Sequence, residues 1–381
     1  MRVELTEEQE MVRAMAREFA DKDVRPIAAE IDRDARFPRE TVRRMGGLGL
    51  LAMTIPPAYG GSGTDTVSYA VAMEEMARAC ASHAVIMSVN NSLYCEPVHK
   101  WGSEEQKQRF LVPFVGGQKI GCFALTEPQA GSDATNQHTL AVRDGDHYAV
   151  NGRKIFVTNG RESAAALVFV QTDHEAGHRG ITALVVEKGT PGFLVPRVEE
   201  KLGLRASDTA EFVFEDCRVP VSNRLGEEGM GFKIAMSSLD SGRIGIAAQA
   251  VGIAAGAYEL ALGYARERKS FGVPIGQHQM VQWMLADMAT AIDAARLLTL
   301  RAAALKDAKQ PFGAAAAMAK LFASETAMKV TTDAIQVHGG YGFIKEYQVE
   351  RYFRDAKITQ IYEGTSQIQK LVIARSVLGG A

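Results

Sequence analysis

Asp144-Gly145-Asp146-His147-Tyr148-Ala149-Val150-Asn151-Gly152-Arg153-Lys154-Ile155-Phe156-Val157-Thr158 is the stretch whose reading decides the fold. Asp-Gly and Asn-Gly dipeptides favour the φ > 0 geometry of tight hairpins, and here they separate the short runs Leu140 to Arg143, Asp146 to Val150 and Lys154 to Thr158. The segment therefore reads as a β-meander. Further β-rich runs follow at Ala165 to Gln171, Ile181 to Val186 and Glu211 to Glu215, the last alternating Phe212 and Phe214 with Val213 and Glu215. On either side the pattern is helical. Upstream, Thr6 and Gln9 form a capping-box pair and Met11, Val12, Met15 and Phe19 follow at helical spacing, with Pro26, Pro38, Pro56-Pro57 and Gly60-Gly61 punctuating later helices. Downstream, Val281, Met284, Leu285, Met288 and Ile292 mark long amphipathic helices of the kind that form bundles, and strand-like alternation disappears. The expected architecture is a helical domain at 1–118, a β domain at 119–230 and a helical bundle at 231–381.

Length agrees with that division, because 381 residues exceed what one core usually serves. The apolar share of 46% and charged share of 23% are ordinary for a globular protein. With 43 Lys and Arg against 45 Asp and Glu, no broad basic surface is available for a phosphate backbone, and nucleic acid is not an expected partner. The 4 cysteines, Cys80, Cys95, Cys122 and Cys217, are scattered and suggest neither a disulfide framework nor a zinc site. The acidic start, Met1 to Glu10, resembles neither a secretory signal nor an Arg-rich transit peptide, so the expected location is cytoplasmic, or the mitochondrial matrix for a processed eukaryotic chain. Gly245 to Ala265 is apolar but rich in Ala and Gly and broken by Gln249 and Glu259, which reads as a tightly packed core helix and not as a membrane span.

The segment Ala124-Leu125-Thr126-Glu127-Pro128-Gln129-Ala130-Gly131-Ser132-Asp133 combines glycine, hydroxyls and carboxylates. Backbone N–H groups beside a glycine can approach a flat polar ring or a pyrophosphate, although the same composition also suits a Pro-Gly surface loop. Near the C-terminus stands Gln336-Val337-His338-Gly339-Gly340-Tyr341-Gly342-Phe343, continued by Glu346, Arg351 and Asp355. The first stretch is similar to one pattern of the acyl-CoA dehydrogenases, and the second resembles another of them at every fixed position. The resemblance extends over essentially the whole chain, through Lys154 to Gly160, Arg268-Lys269-Ser270-Phe271-Gly272 and Ile361-Tyr362-Glu363-Gly364-Thr365-Ser366-Gln367. It implies that family's fold, with a β-barrel-like middle domain between the two helical ones. One departure is Asn136, where the family usually has a small residue.

The chemistry implied is α,β-dehydrogenation of an acyl-CoA thioester with FAD as cofactor. Removing an α-proton needs a base aimed at it and donors on the thioester oxygen to hold the developing enolate charge. By resemblance the base is Glu363, with the β-hydrogen leaving as hydride to flavin N5. Family members that place the base elsewhere do so at a position matched here by Gly242, which has no side chain. The resemblance also puts Phe123, Leu125, Thr126, Gly131, Ser132, Phe156, Thr158, Thr365 and Gln367 around the flavin, and Arg268, Phe271, Gln279, Gln336, Gly339 and Gly340 on its pyrophosphate, ribityl and adenine parts. Ser132, Asp240, Arg243 and Gly364 would contact the CoA substrate. In the family the two flavin clusters come from different subunits, so the chain is expected to be a homo-oligomer, a dimer at least and usually a tetramer, and to hand electrons to an electron-transferring flavoprotein.

Likeness in Ser88 to Tyr94 and in Lys119 to Phe123 is to short-chain, butyryl-CoA-type members. Ala84 occupies the position at which glutaryl-CoA members carry an Arg, which disfavours a dicarboxylic substrate; branched and medium-chain substrates stay open, as do an acyl-CoA oxidase and a flavin-binding protein without catalysis. Other features read more plainly. His174 and His178 lie in a polar loop with no third ligand, Gly60-Gly61-Ser62-Gly63 lacks the Lys of a phosphate loop, and the stripe from Met280 to Met288 is expected in the core.

Overall fold

A computed structural model describes residues 4–379; residues 1–3 and 380–381, at the outer ends of the expected helical domains, lie outside the described residues. The first helices are α1 (Glu7–Phe19), α2 (Ala28–Arg33), α3 (Arg39–Gly47), α4 (Thr66–Ala79), α5 (Ala81–Ser88), α6 (Glu96–Trp101), α7 (Glu104–Phe110) and α8 (Val112–Val115). Thr6 caps α1 as the sequence suggests: its hydroxyl accepts from the Gln9 N–H while the Gln9 side chain accepts from the Thr6 N–H, which satisfies two otherwise orphaned donors. Between α5 and α6 the chain widens into a π-helical stretch, Val89–Cys95. Asn90 and Asn91 in that stretch are buried and bond the backbone of Leu50, Leu51, Met87 and Phe114, which fastens the irregular turn to its neighbours.

The middle region is an 8-stranded sheet. Its strands are β1 (Gly121–Ala124), β2 (Leu140–Asp144), β3 (His147–Thr158), β4 (Ala165–Gln171), β5 (Ile181–Glu187), β6 (Phe193–Leu194), β7 (Thr209–Pro220) and β8 (Arg224–Leu225). The spatial order is β6-β7-β3-β2-β4-β5-β8, with β1 parallel to β4. Asp144-Gly145 makes the expected hairpin between β2 and β3. Asn151-Gly152 does not turn the chain. It lies inside the single long strand β3 as a bulge, with the register against β7 shifting between Val150 and Gly152. Two observations explain the difference: the Asn151 amide is fastened sideways to Asp216, and a Cβ on Gly152 would lie 2.6 Å from the Thr139 backbone.

Period-two alternation divides β4 between two cores. Ala165, Leu167 and Phe169 pack with α6, α7 and α8, whereas Ala166, Val168 and Val170 pack with Tyr148, Phe212 and Phe214 on the other face. The sheet is thus covered on one face by the N-terminal helices.

The C-terminal region contains α9 (Gly231–Glu267), a short hairpin β9 (Lys269–Ser270) and β10 (Val273–Pro274), then α10 (Gln279–Asp307), α11 (Gly313–His338), α12 (Val349–Thr359) and α13 (Ser366–Val377). The hairpin is a strand pair the helical reading omitted; two residues on each side are too few for alternation to show. Among the described residues α9 is the one helix long and apolar enough to cross a membrane, and 83% of its most apolar window is buried inside the protein. Its small residues permit close packing: a Cβ on Gly252 would lie 2.3 Å from the Glu74 carbonyl of α4. The methionine stripe of α10 is only partly core. Met288 is buried, but Met280 is 66% exposed and Trp283 is 63% exposed, so one apolar side of this helix faces outward.

Ion pairs and caps lock the three regions together. Arg354 of α12 bonds Asp32 of α2, and the buried Asp355 accepts from the Leu204 N–H of the middle region at 2.6 Å. Those contacts hold the 202–207 segment against the bundle and so form one wall of the site described next.

Candidate active site

Where the sheet, the π-helical turn and the bundle meet, they enclose a cavity of about 780 Å³, within the range typical of small-molecule sites. The sheet supplies Phe123, Leu125, Thr126, Phe156 and Thr158, with Gly131 and Ser132 at the exposed rim. The bundle supplies Leu239, Arg243, Tyr362, Glu363 and Gly364, and the N-terminal helices close one end with Val85, Val89 and Leu93. Those last residues recur at four-residue intervals, which places them on one helical face.

Glu363 is delivered by the segment that joins α12 to α13. Glu363 and Gly364 both have positive φ, 52° and 91°, so the chain turns sharply where the carboxylate enters the cavity. A non-glycine residue in this region is costly and persists when its surroundings hold it. Thr365 then caps α13, its hydroxyl accepting from the Ile368 N–H. Gly242 of α9 packs directly against this carboxylate: a Cβ there would lie 2.0 Å from Glu363 Oε2. That oxygen is buried and makes no hydrogen bond to the protein. Desolvation pushes the carboxyl up to about 7, against the pull of the Lys320 and Arg243 cations. The result is a carboxylate near the optimum for proton abstraction at neutral pH.

Arg243 is buried in the cavity wall, its Nη1 donating to Asp240 at 2.6 Å. Asp240 supports that guanidinium from outside the wall. Arg268, Gly339 and Gly340 lie elsewhere, in a second depression of about 440 Å³ formed by the bundle with Tyr264 and Tyr341. Gln279, Gln336 and Gln367 are exposed outside both, and Phe271 stands 97% exposed at the tip of the β9–β10 hairpin. Within one chain the two groups of residues assigned to FAD are therefore not brought together.

Three features bear on the site, and the last two escaped the sequence reading. Ala84 is buried without lining the cavity, and the wall beside it is Val85. Lys320 of α11 and Gln369 of α13, both fully buried, bond the backbone of the Glu363 turn. Lys320 was visible as one charge inside the run Ala314 to Ala323, a position that implies burial of its ammonium.

The third feature is a buried ion pair under the loop that carries Leu125 and Thr126. Lys154 Nζ of β3 donates to Glu127 at 2.6 Å, to the Leu125 carbonyl at 3.2 Å, and to Gln137. Glu127 also accepts from the His138 and Thr139 N–H groups. Burial opposes its ionisation, but Lys154 and these donors outweigh that and hold its carboxyl below the usual range. Burial lowers Lys154 to about 8. Removing one member would strand the other charge, so Lys154→Met is expected to lower unfolding stability by ~3–5 kcal/mol. Urea denaturation of the two proteins measures it; a loss below ~1 kcal/mol would mean that water reaches Glu127 without disturbing the loop.

Family models described as the N-terminal, middle and C-terminal domains of acyl-CoA dehydrogenase match residues 6–118, 122–217 and 229–378. The chain is 53% identical over 373 residues to the short-chain specific acyl-CoA dehydrogenase of Clostridium acetobutylicum, covering 98% of each. Among solved structures it superposes on butyryl-CoA dehydrogenase from Megasphaera elsdenii with TM-score 0.97 and 46% identity, over 99% of this chain and 100% of that one. It also superposes on a chain in the structure of the electron transferring flavoprotein of Acidaminococcus fermentans, with TM-score 0.98 and 50% identity, over 99% of this chain and 100% of that one.

Proposed function

The chain belongs to the acyl-CoA dehydrogenases, FAD-dependent oxidoreductases of fatty acid β-oxidation, and on that premise we propose that it desaturates short-chain acyl-CoA thioesters with Glu363 as the catalytic base. The observation that carries the reading is the buried, unpartnered Glu363 carboxyl oxygen, packed against Gly242 beside the cavity that Glu363 lines.

The residues present fit the cofactor. Gly131 leaves open space where a Cβ would stand, and Phe156 holds a positive φ of 58° that turns its backbone at the cavity wall. Bound FAD supplies a two-electron acceptor for the hydride lost from the β-carbon. Glu363 takes the α-proton onto a carboxylate oxygen, and a backbone N–H of the Glu363–Gly364 turn, which lines the same cavity, is the donor we assign to the thioester carbonyl. Arg243 faces the carboxylate from α9 and favours its ionised form before the proton arrives. Leu93, Val89 and Val85 exclude water from the acyl end.

Their apolar closure, together with the similarity to short-chain relatives, supports butyryl-CoA over longer or dicarboxylic substrates. The separation of Arg268, Gly339 and Gly340 from the cavity, with Phe271 and Trp283 exposed, supports a homo-oligomer in which a second copy completes the FAD site. Similarity to the chain in the flavoprotein structure supports an electron-transferring flavoprotein as acceptor.

Anaerobic titration of the purified holoenzyme with butyryl-, octanoyl- and isovaleryl-CoA tests the reading. The flavin absorbance should bleach most efficiently with butyryl-CoA, and the reduced complex should reoxidise slowly in air. Preference for another thioester would move the substrate class, and rapid reoxidation would favour an oxidase. A yellow protein that none of them bleaches would leave a flavin-binding role.

A further inference from the structure

The base stands on a backbone that would not hold its shape alone. Consecutive positive φ angles at Glu363 and Gly364 put two carbonyls on the inner side of the turn, and both are satisfied by buried side chains. Gln369 Nε2 donates to the Glu363 carbonyl at 3.1 Å and to the Gly364 carbonyl at 2.8 Å. Lys320 Nζ donates to the same Gly364 carbonyl at 2.7 Å. A Cβ on Gly364 would lie 2.6 Å from the Gln369 amide, so that amide is packed directly on the turn.

Five residues along α11 from Lys320, Glu325 bonds Ser366 at 2.8 Å and Gln360 at 2.7 Å, so α11 grips the base-bearing segment on both sides of Glu363. A fully buried ammonium on a carbonyl is an expensive way to satisfy one acceptor, for which a neutral amide would serve. What an amide lacks is charge.

We propose that Lys320 and Gln369 are positioning residues for the reaction: they clamp the Glu363–Gly364 turn, and the Lys320 ammonium, held on the Gly364 carbonyl, supplies a positive charge beside the base. The proposal rests on Glu363 being the base. Desolvation lowers Lys320 to about 8, with Glu363 and Glu325 opposing and Arg243 assisting. The cations facing Glu363 are Lys320 from α11 and Arg243 from α9; the nearby phenols of Tyr69 and Tyr362 are raised and stay neutral. Lys320 thus favours the carboxylate, and removing it raises the pH at which Glu363 ionises.

The test is the anaerobic rate of flavin reduction by butyryl-CoA from pH 5.5 to 9, on holoenzymes of equal flavin content. In Lys320→Met the acidic limb should move up by about one pH unit, and kcat at pH 7 should fall about fivefold, because a base titrating at about 7 is half ionised there and one a unit higher only about one-tenth, with KM unchanged. Gln369→Leu removes the neutral clamp but leaves the charge; there kcat should fall about tenfold through misplacement of the base, with the limb where it was.

A Lys320→Met enzyme with lower melting temperature but wild-type kcat and pH profile would overturn the proposal, since it would show a merely structural lysine. If that variant does not accumulate as holoenzyme, Gln369→Leu decides: wild-type turnover overturns the clamp, and reduced turnover at an unmoved limb supports it. Glu363→Gln in the same assay separates the two readings, because retained flavin reduction there would remove the base itself.

Discussion

Glu363→Gln is expected to slow flavin reduction by butyryl-CoA by ~10²–10⁴-fold, the usual span for loss of a general base, while the protein stays folded and yellow. The substitution keeps the volume of the side chain and removes only its basicity. Nothing in the fold depends on the carboxylate, because Oε2 makes no hydrogen bond to the protein and the turn is held through the backbone carbonyls. Replacing an unpaired buried acid with an amide also removes a desolvation cost, so no loss of stability is expected. The wild-type rate should itself depend on pH in a defined direction. The base acts as carboxylate and its carboxyl is pushed up to about 7, so the rate rises as pH passes through that value and falls below it as Glu363 takes up a proton. Stopped-flow reduction across that window gives both results; a variant that reduces its flavin at near-wild-type rate would sink Glu363 as the base.

Much of this arrangement was legible in the residues, for reasons that differ along the chain. The capping box at Thr6 and Gln9 was readable because both partners lie within one turn. Strand β4 was readable as a run, but its alternation between two cores could not be, since both faces are buried and every position from Ala165 to Val170 is apolar. Asn151-Gly152 misled because the same dipeptide that permits a two-residue hairpin also permits a bulge; Asp216, far along the chain, decides between them. Around the site, the resemblance pointed to Glu363, Arg243 and the sheet-side wall, which one cavity gathers. It also implied that Arg268, Gly339 and Gly340 stand apart within one chain, by assigning the two flavin clusters to different subunits; spacing alone could not, because sequence order carries no distances. Lys320 and Gln369 were missed for a related reason. They contact only backbone, and a backbone carbonyl leaves no mark of its partner in a sequence.

Gly242→Ala is expected to separate activity from stability at a position where the helix alone argues for the substitution. Gly242 lies in the interior of α9, and alanine there is more favourable than glycine by ~1 kcal/mol in helix propensity. The new methyl would nevertheless stand 2.0 Å from Glu363 Oε2, 2.9 Å from its Cδ and 3.1 Å from Leu93 Cδ2. Something must move, and the choices are unequal. The α9 backbone is packed along its length against α4 and α11, and the Glu363 backbone is clamped by Lys320 and Gln369. The carboxylate is the flexible end, and it yields. A base displaced by about 1 Å can lose ~10²-fold in rate, because proton transfer depends steeply on approach. The expected variant therefore melts within a few degrees of wild type, binds FAD, and reduces it ~10²-fold more slowly, with the acyl-CoA dissociation constant nearly unchanged. Stopped-flow reduction and a melting curve on the same preparation suffice to check it. Wild-type turnover would show that Glu363 has a second productive position away from Gly242, and a cooperative loss of folding would show that α9 and not the carboxylate gives way.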